Sequence, residues 1–164
     1  MKILYRDLIK FLSEKPTASE ISKSLFQLGH EHELKNEVFE MEFTPNRGDC
    51  LSVMGLARDL NIFYGKNDYL EIFDDPIEKF DFKFDNLSID SCTSISFLEL
   101  EVKDNKPKYK DYLETYFNNT EQKKNNFFAD ITNYLSYEIG QPSHCYDSEK
   151  ITGEIVFEKR VCNE

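Results

Sequence analysis

Asp130-Ile131-Thr132-Asn133-Tyr134, followed by a largely apolar segment to Ile139 and then by Gly140-Gln141-Pro142-Ser143-His144-Cys145-Tyr146-Asp147, is the stretch on which the reading of this chain turns. Residues Phe127 to Ile139 have the spacing of one helix. Within it Thr132 and Asn133 are polar interruptions, and an amide or hydroxyl placed there needs a partner or water. Gly140 stands where a helix-ending glycine is expected, and Pro142 fixes the turn after it. His144 is thereby delivered to the end of a rigid element, from which its ring can point into a cleft. Taken on residue type alone, Asn133 is a satisfied structural residue and His144 packs or caps.

A second unusual string lies upstream, Glu42-Phe43-Thr44-Pro45-Asn46-Arg47-Gly48-Asp49-Cys50-Leu51-Ser52, continued by Gly55-Leu56-Ala57-Arg58-Asp59-Leu60. The alternation from Glu37 to Phe43 predicts a strand whose buried face carries Phe39, Met41 and Phe43. Pro45 stops it, and the Asn46 to Asp49 turn feeds a helix with Val53, Leu56, Leu60 and Phe63 on one stripe and Gly65 as its end. Arg47 and Asp49 read as a turn-stabilising ion pair, and Arg58-Asp59 as ordinary surface. Ahead of this string, Leu4, Leu8, Ile9, Phe11 and Leu12 fall at helical spacing. Thr17-Ala18-Ser19-Glu20 is a capping box ahead of a second helix with Ile21, Leu25, Phe26 and Leu28, ended by Gly29.

Charge, proline and loss of periodicity coincide at Asp74-Asp75-Pro76, and a domain boundary is expected there. Beyond it Phe80, Phe82 and Phe84 alternate, and Ile95, Phe97, Leu98, Leu100 and Val102 predict a strand. Pro107 opens a helix carrying Tyr109, Tyr112, Leu113, Tyr116 and Phe117, and Ile155-Val156-Phe157 is strand-like. The fold class is therefore α+β, with a small helical first module with a strand over residues 1–75 and an α+β second module over 76–164.

At 164 residues and 40% hydrophobic content the chain can bury one moderate core or two small ones. Its formal charge of -11 excludes a strong grip on RNA by this chain alone, because such affinity is carried by Lys and Arg displacing counterions. The acidic excess concentrates in Glu71, Asp74, Asp75, Glu78, Asp81, Asp85, Asp90, Glu99 and Glu101, opposed by Lys79 and Lys83. From Lys103 to Lys124 the balance is mildly basic, the pattern of a solvated face. Cysteines 50, 92, 145 and 162 form no Cys-x-x-Cys pair, so neither a zinc site nor a disulfide framework is expected, and reduced thiols in a cytoplasm fit best. The charged N-terminus and the lack of a long apolar run predict neither a signal peptide nor a membrane span.

Both strings resemble phenylalanyl-tRNA synthetase beta subunits, and they occur in family order. The family's editing-module pattern, Asp-x-Thr-Asn-Tyr, an apolar helix and Gly-Gln-Pro-x-His-x-x-Asp, is met from Asp130 to Asp147, and its Thr-Pro-Asn-Arg segment from Thr44 to Arg47. The resemblance implies that Asn133 and His144 line a catalytic editing pocket, with Thr132 and Lys123 on the substrate-binding side. Lys123 aligns with a basic residue that the family places in a Gly-x-Arg-Pro context, keeping the charge without the planar fork. His144 would bind or position the misacylated amino acid or the attacking water, which a neutral imidazole does by hydrogen bonding. A pocket of this kind is needed because an apolar phenylalanine site rejects the added hydroxyl of tyrosine only about a hundredfold.

The chain also departs from the family. Between Leu28 and Val38 about ten residues stand where most bacterial members insert a large tRNA-binding oligonucleotide-fold domain. The family's editing module continues past the strand after Gly153 into a glycine-rich loop with a glutamate and a later threonine, none of which is reached by Glu164. Half of an editing pocket is therefore expected, in a chain inactive by itself. The implied partners are the synthetase alpha subunit and the remainder of the beta subunit, with tRNA(Phe) bound only in the full assembly. ATP and magnesium serve the complete synthetase, and no cofactor or metal is expected in this chain. One rival is a shortened, non-catalytic paralogue acting as a protein-binding module. A nucleic-acid-binding regulator is a third reading, which the charge opposes.

Overall fold

The computed structural model describes residues 1–66, 76, 82–103 and 107–160. The expected boundary residues Asp74 and Asp75 lie outside them, as do Glu71, Glu78, Lys79, Phe80, Asp81 and Cys162. The chain has an α+β fold and forms two compact units that do not follow chain order. One is Met1–Glu71 with Pro107–Cys145, and the other is Ile72–Lys106 with Tyr146–Glu164.

The alternation around Phe39 and Met41 becomes the central strand of the larger unit. Strand β1 (Lys2–Leu4), helix α1 (Tyr5–Leu8), helix α2 (Ala18–Gln27), strand β2 (Glu31–Lys35) and strand β3 (Val38–Glu42) form an antiparallel sheet of order β1-β3-β2 with its flanking helices. The expectation of a single strand is thus corrected. Glu31-His32-Glu33-Leu34-Lys35 is a polar edge strand with only His32 and Leu34 half-buried, and such a pattern carries little apolar signal. Asn36 and Glu37, at φ 47° and 63°, make the two-residue turn that joins it to β3, a mirror-image geometry that suits the twist of a hairpin. The first predicted helix shrinks to one turn, Tyr5–Leu8, plus a 3-10 turn at Ile9–Phe11, because Leu4 is drawn into β1.

Helix α2 begins as its sequence predicts. Thr17 accepts from the Glu20 amide, and Glu20 accepts from the Thr17 amide, so two orphan N–H groups are satisfied reciprocally. Helix α3 (Val53–Phe63) is capped by Ser52, whose hydroxyl accepts from the Gly55 amide, and buries Val53, Leu56 and Leu60 completely. Phe63, expected on that stripe, is 39% exposed.

Helices α4 (Asp111–Thr120) and α5 (Phe127–Ile139) pack on this core, contributing Leu113, Tyr116, Phe117, Tyr134 and Tyr137. Tyr137 Oη accepts the Leu4 amide at 3.1 Å, so a phenol replaces a strand partner for a buried N–H. The far end of α5 is fixed more tightly still. Gly140 ends the helix at φ 78°, and a Cβ built on it would lie 2.9 Å from the Ser52 Oγ and 3.0 Å from the Ser52 Cβ. Only glycine suits that conformation and that approach.

The Asn46 to Asp49 turn is locked by charge. Arg47 holds Asp49 with two hydrogen bonds, at 3.0 and 3.1 Å, and also binds Asp59, while Arg58 binds Asp49 and Asp59. His30 Nε2 lies 3.2 Å from the Asp59 carboxylate. The expectation that Arg58-Asp59 is ordinary surface is therefore corrected: Asp59 is largely buried, at 13% side-chain exposure, and lies at the centre of the network. Its role was hidden because its partners lie 12 and 29 residues away in sequence.

The smaller unit contains strand β4 (Phe84–Asn86) and strand β5 (Ile155–Phe157), paired in parallel. The strand expected over Ile95 to Val102 joins no sheet among the described residues. Phe97 packs edge-on against Phe82 and Phe84, but Leu98 and Leu100 are 81% and 71% exposed. The pattern is strand-like, but a strand needs a neighbour to complete its ladder.

Gly140→Ala is expected to lower stability by about 1–3 kcal/mol in urea denaturation, with the loss arising from the positive φ and the Ser52 contact together. Burial pushes the Asp59 carboxyl up, but hydrogen bonds from Arg47 and His30 outweigh it and hold the group below its ordinary value. A depressed carboxyl stabilises the fold above the unfolded value of about 4 and loses that contribution as pH falls through the folded one. Asp59→Asn is therefore expected to be less stable at pH 7 and to show a flatter decline below about pH 4 in thermal unfolding.

Candidate functional site

Helix α5 is built so that one side is core and the other is free. Asp130, Tyr134 and Tyr137 are buried, whereas Asn133 is exposed and Thr132 half-buried. Asp130 is fully buried and structural: its carboxylate accepts the Asn125 amide at 3.0 and 3.1 Å and the Tyr109 hydroxyl at 2.5 Å. That carboxylate pushes the Tyr109 phenol up to about 12, so the phenol is a neutral donor at pH 7. The opening residue of the Asp130-Tyr134 string thus ties the preceding loop to the helix.

Past Gly140 the chain doubles back along α5. Ser143 donates its hydroxyl to the Thr132 carbonyl at 3.0 Å, and its amide donates to Ser136 Oγ at 3.3 Å. Ser136 in turn donates to the same Thr132 carbonyl at 3.0 Å. Residue 143 is therefore fastened to the helical turn that contains Thr132 and Asn133, and His144 is the next residue. His144 and Asn133 are both exposed, and among the described residues neither side chain is held by a hydrogen bond. Thr132 spends its hydroxyl on the Ala129 carbonyl at 2.9 Å. Lys123 is exposed in the loop before α5, at the opposite end of the helix from Gly140. The neighbouring Lys124 is engaged with Glu114 and lies 4.8 Å from the Tyr109 ring centroid.

Ser136 and Ser143 were not singled out by sequence reasoning, since serines near a helix end are common and their pairing depends on the return path of the chain. The signal available was the helix-ending Gly140 with Pro142 two residues on, which together dictate a sharp reversal. Two surface depressions of the larger unit lie away from these residues. One of about 420 Å³ is lined by Ser22, Lys23, Phe26, Gln27 and His32, and one of about 380 Å³ by Met1, Lys2, Tyr116, Thr120, Gln122 and Tyr137.

Folding also assembles a nitrogen, sulfur and oxygen donor set that cysteine spacing could not reveal. His30, Cys50 and Asp59 place one donor atom each within 4.8 Å of one another. A guanidinium already supplies the cation there, since Arg47 Nη2 lies 2.8 Å from the Cys50 Sγ and binds Asp59. Burial pushes the Cys50 thiol up to about 12, so it is a neutral thiol rather than a thiolate ligand at neutral pH. The group reads as an ion-pair lock, with Asp49 and Asp59 both committed to arginine.

Comparison with known proteins covers most of the chain. The B3/4 domain family matches residues 97–164. The phenylalanine–tRNA ligase beta subunit of Rickettsia bellii (strain RML369-C) is 40% identical over 136 residues, covering 80% of this chain and 15% of that protein. That of Psychrobacter arcticus is 27% identical over 164 residues, covering 92% and 19%, and that of Wolbachia sp. subsp. Brugia malayi is 28% identical over 180 residues, covering 96% and 22%. The chain thus spans 15 to 22% of the length of these curated relatives. No solved structure matches it. With most of its length matched by such proteins, the chain belongs to the phenylalanine–tRNA ligase beta-subunit family.

Proposed function

We propose that this chain works as part of a phenylalanine–tRNA ligase beta subunit, supporting aminoacylation of tRNA(Phe) and contributing one side of a site that hydrolyses mischarged tyrosyl-tRNA(Phe). The observation that carries the reading is the return of the chain at Ser143 onto the Thr132 turn, which bonds the residue before His144 to the helical turn that bears Asn133, with both side chains open to solvent. Editing is hydrolysis of the ester that links tyrosine to tRNA. In this role His144 orients water or the ester, Asn133 supplies an amide to polar atoms of the substrate, and the partly exposed Thr132 and Lys123 lie on the substrate side.

The larger unit is the scaffold for that site. Its lock of Arg47, Asp49, Arg58 and Asp59 fixes the turn before α3, and Ser52 at the start of α3 meets Gly140 at the end of α5. The net charge of -11 assigns tRNA binding to the full assembly, with the alpha subunit and the remainder of a beta subunit as partners. The step that uses ATP and magnesium is likewise assigned to the complete synthetase. A cytoplasmic location accompanies this role. No helix among the described residues is long and apolar enough to cross a membrane.

A second reading, a non-catalytic protein-binding module, is favoured by the exposed apolar run of Leu98, Leu100 and Val102, at 81%, 71% and 51%. The two readings differ in what His144 does. In a complete ligase carrying this sequence, His144→Ala is expected to raise accumulation of tyrosyl-tRNA(Phe) by on the order of tenfold or more while leaving phenylalanine charging intact. Equal loss of both activities would assign His144 to folding. The isolated chain is expected to release no tyrosine from mischarged tRNA above the buffer rate, and measurable turnover would refute its dependence on the remaining subunits.

A further inference from the structure

Helix α5 is already terminated without Ser143. Gly140 takes the left-handed conformation, and its amide donates to the Ser136 carbonyl at 3.0 Å, which closes the last turn. The bonds made by Ser143 are additional and reach farther back. They are the amide to Ser136 Oγ at 3.3 Å and the hydroxyl to the Thr132 carbonyl at 3.0 Å, 7 and 11 residues earlier in the chain. Ser136 completes the group by donating to the same carbonyl. Ser136, a serine bonded back into its own helix, competes with the helix ladder and is neutral or mildly unfavourable for the helix itself, so helix stability does not account for its side-chain bond.

We infer that Ser136 and Ser143 are positioning residues for His144: a hydroxyl clamp that fixes where the imidazole leaves the chain relative to Asn133. The Cα of residue 144 is held about 3.8 Å from that of a residue pinned at both its amide and its side chain. The remaining freedom of the His144 ring is then that of the Ser143 ψ, its own φ and its side-chain torsions, which substrate can set on binding. Neither serine touches substrate in this scheme. Each acts through the placement of His144, and misplacement of a catalytic group by about 1 Å lowers rates strongly. The inference rests on the editing role of His144, and its test separates the two.

Ser143→Ala, Ser143→Thr and His144→Ala are made in a complete ligase containing this sequence, and hydrolysis of tyrosyl-tRNA(Phe) is measured under single-turnover and saturating conditions. Ser143→Ala is expected to lower kcat on the order of tenfold with KM within about twofold, and Ser143→Thr, which keeps the hydroxyl, to restore it. In the present chain the same alanine variant should move the His144 ring resonances and deprotect the residue 143 amide, with the thermal midpoint unchanged. If His144→Ala is defective while Ser143→Ala edits like wild type, the clamp is overturned and the editing reading stands. If neither substitution alters editing, the editing reading fails and the inference goes with it. Unchanged His144 resonances in Ser143→Ala also overturn the clamp.

Discussion

The close approach of Gly140 to Ser52 is the constraint on which the larger unit depends. It joins the end of one helix to the beginning of another at a distance that leaves no room for a side chain, and the same glycine must also adopt a left-handed backbone. From that contact α5 packs on α3, and its buried tyrosines reach β1 and α4. The segment after Gly140 can then only turn back over the exposed side of α5. Ser52 and Gly140, in two strings far apart in sequence, are thus parts of one packing arrangement.

Polar groups give this arrangement its uniqueness. The apolar core of Ile3, Leu8, Leu25, Phe39, Leu56, Leu60 and Leu113 would tolerate several arrangements of its helices, since hydrophobic burial has no direction. Asp130 with Tyr109, Tyr137 with the Leu4 amide, and Asp59 with His30 and Arg47 each demand one geometry, because a buried polar group left unpaired is costly. The acidic residues in these sets are structural, whereas Asn133 on α5 and His144 beyond its end are open to solvent.

Much of the larger unit was legible from residue pattern. The capping box at Thr17, the stripe of Val53, Leu56 and Leu60, and the bounds of Phe127 to Ile139 are local properties, set by period and by cap chemistry within a few residues. The edge strand at Glu31 to Lys35 was not, because its charged residues face solvent on a sheet edge and leave no apolar alternation. Asp59 escaped notice for a related reason: its partners come from the loop before α3 and from the connection between α2 and β2, and only the tertiary fold brings them together. The candidate site divides likewise. Asn133 and His144 belong to recognisable strings, whereas the Ser136 and Ser143 hydroxyls gain meaning only from the reversal of the chain.

The parallel pairing of β4 with β5 has a consequence for synthesis on the ribosome. Phe84 meets Ile155, so the first of these strands emerges long before its neighbour, and the intervening segment from Pro107 to Cys145 belongs to the other unit. The earlier segment must therefore await translation of the whole helical pair before it acquires hydrogen-bond partners. During that interval the edge of β4 is unpaired, the condition in which a nascent chain is most prone to associate with others.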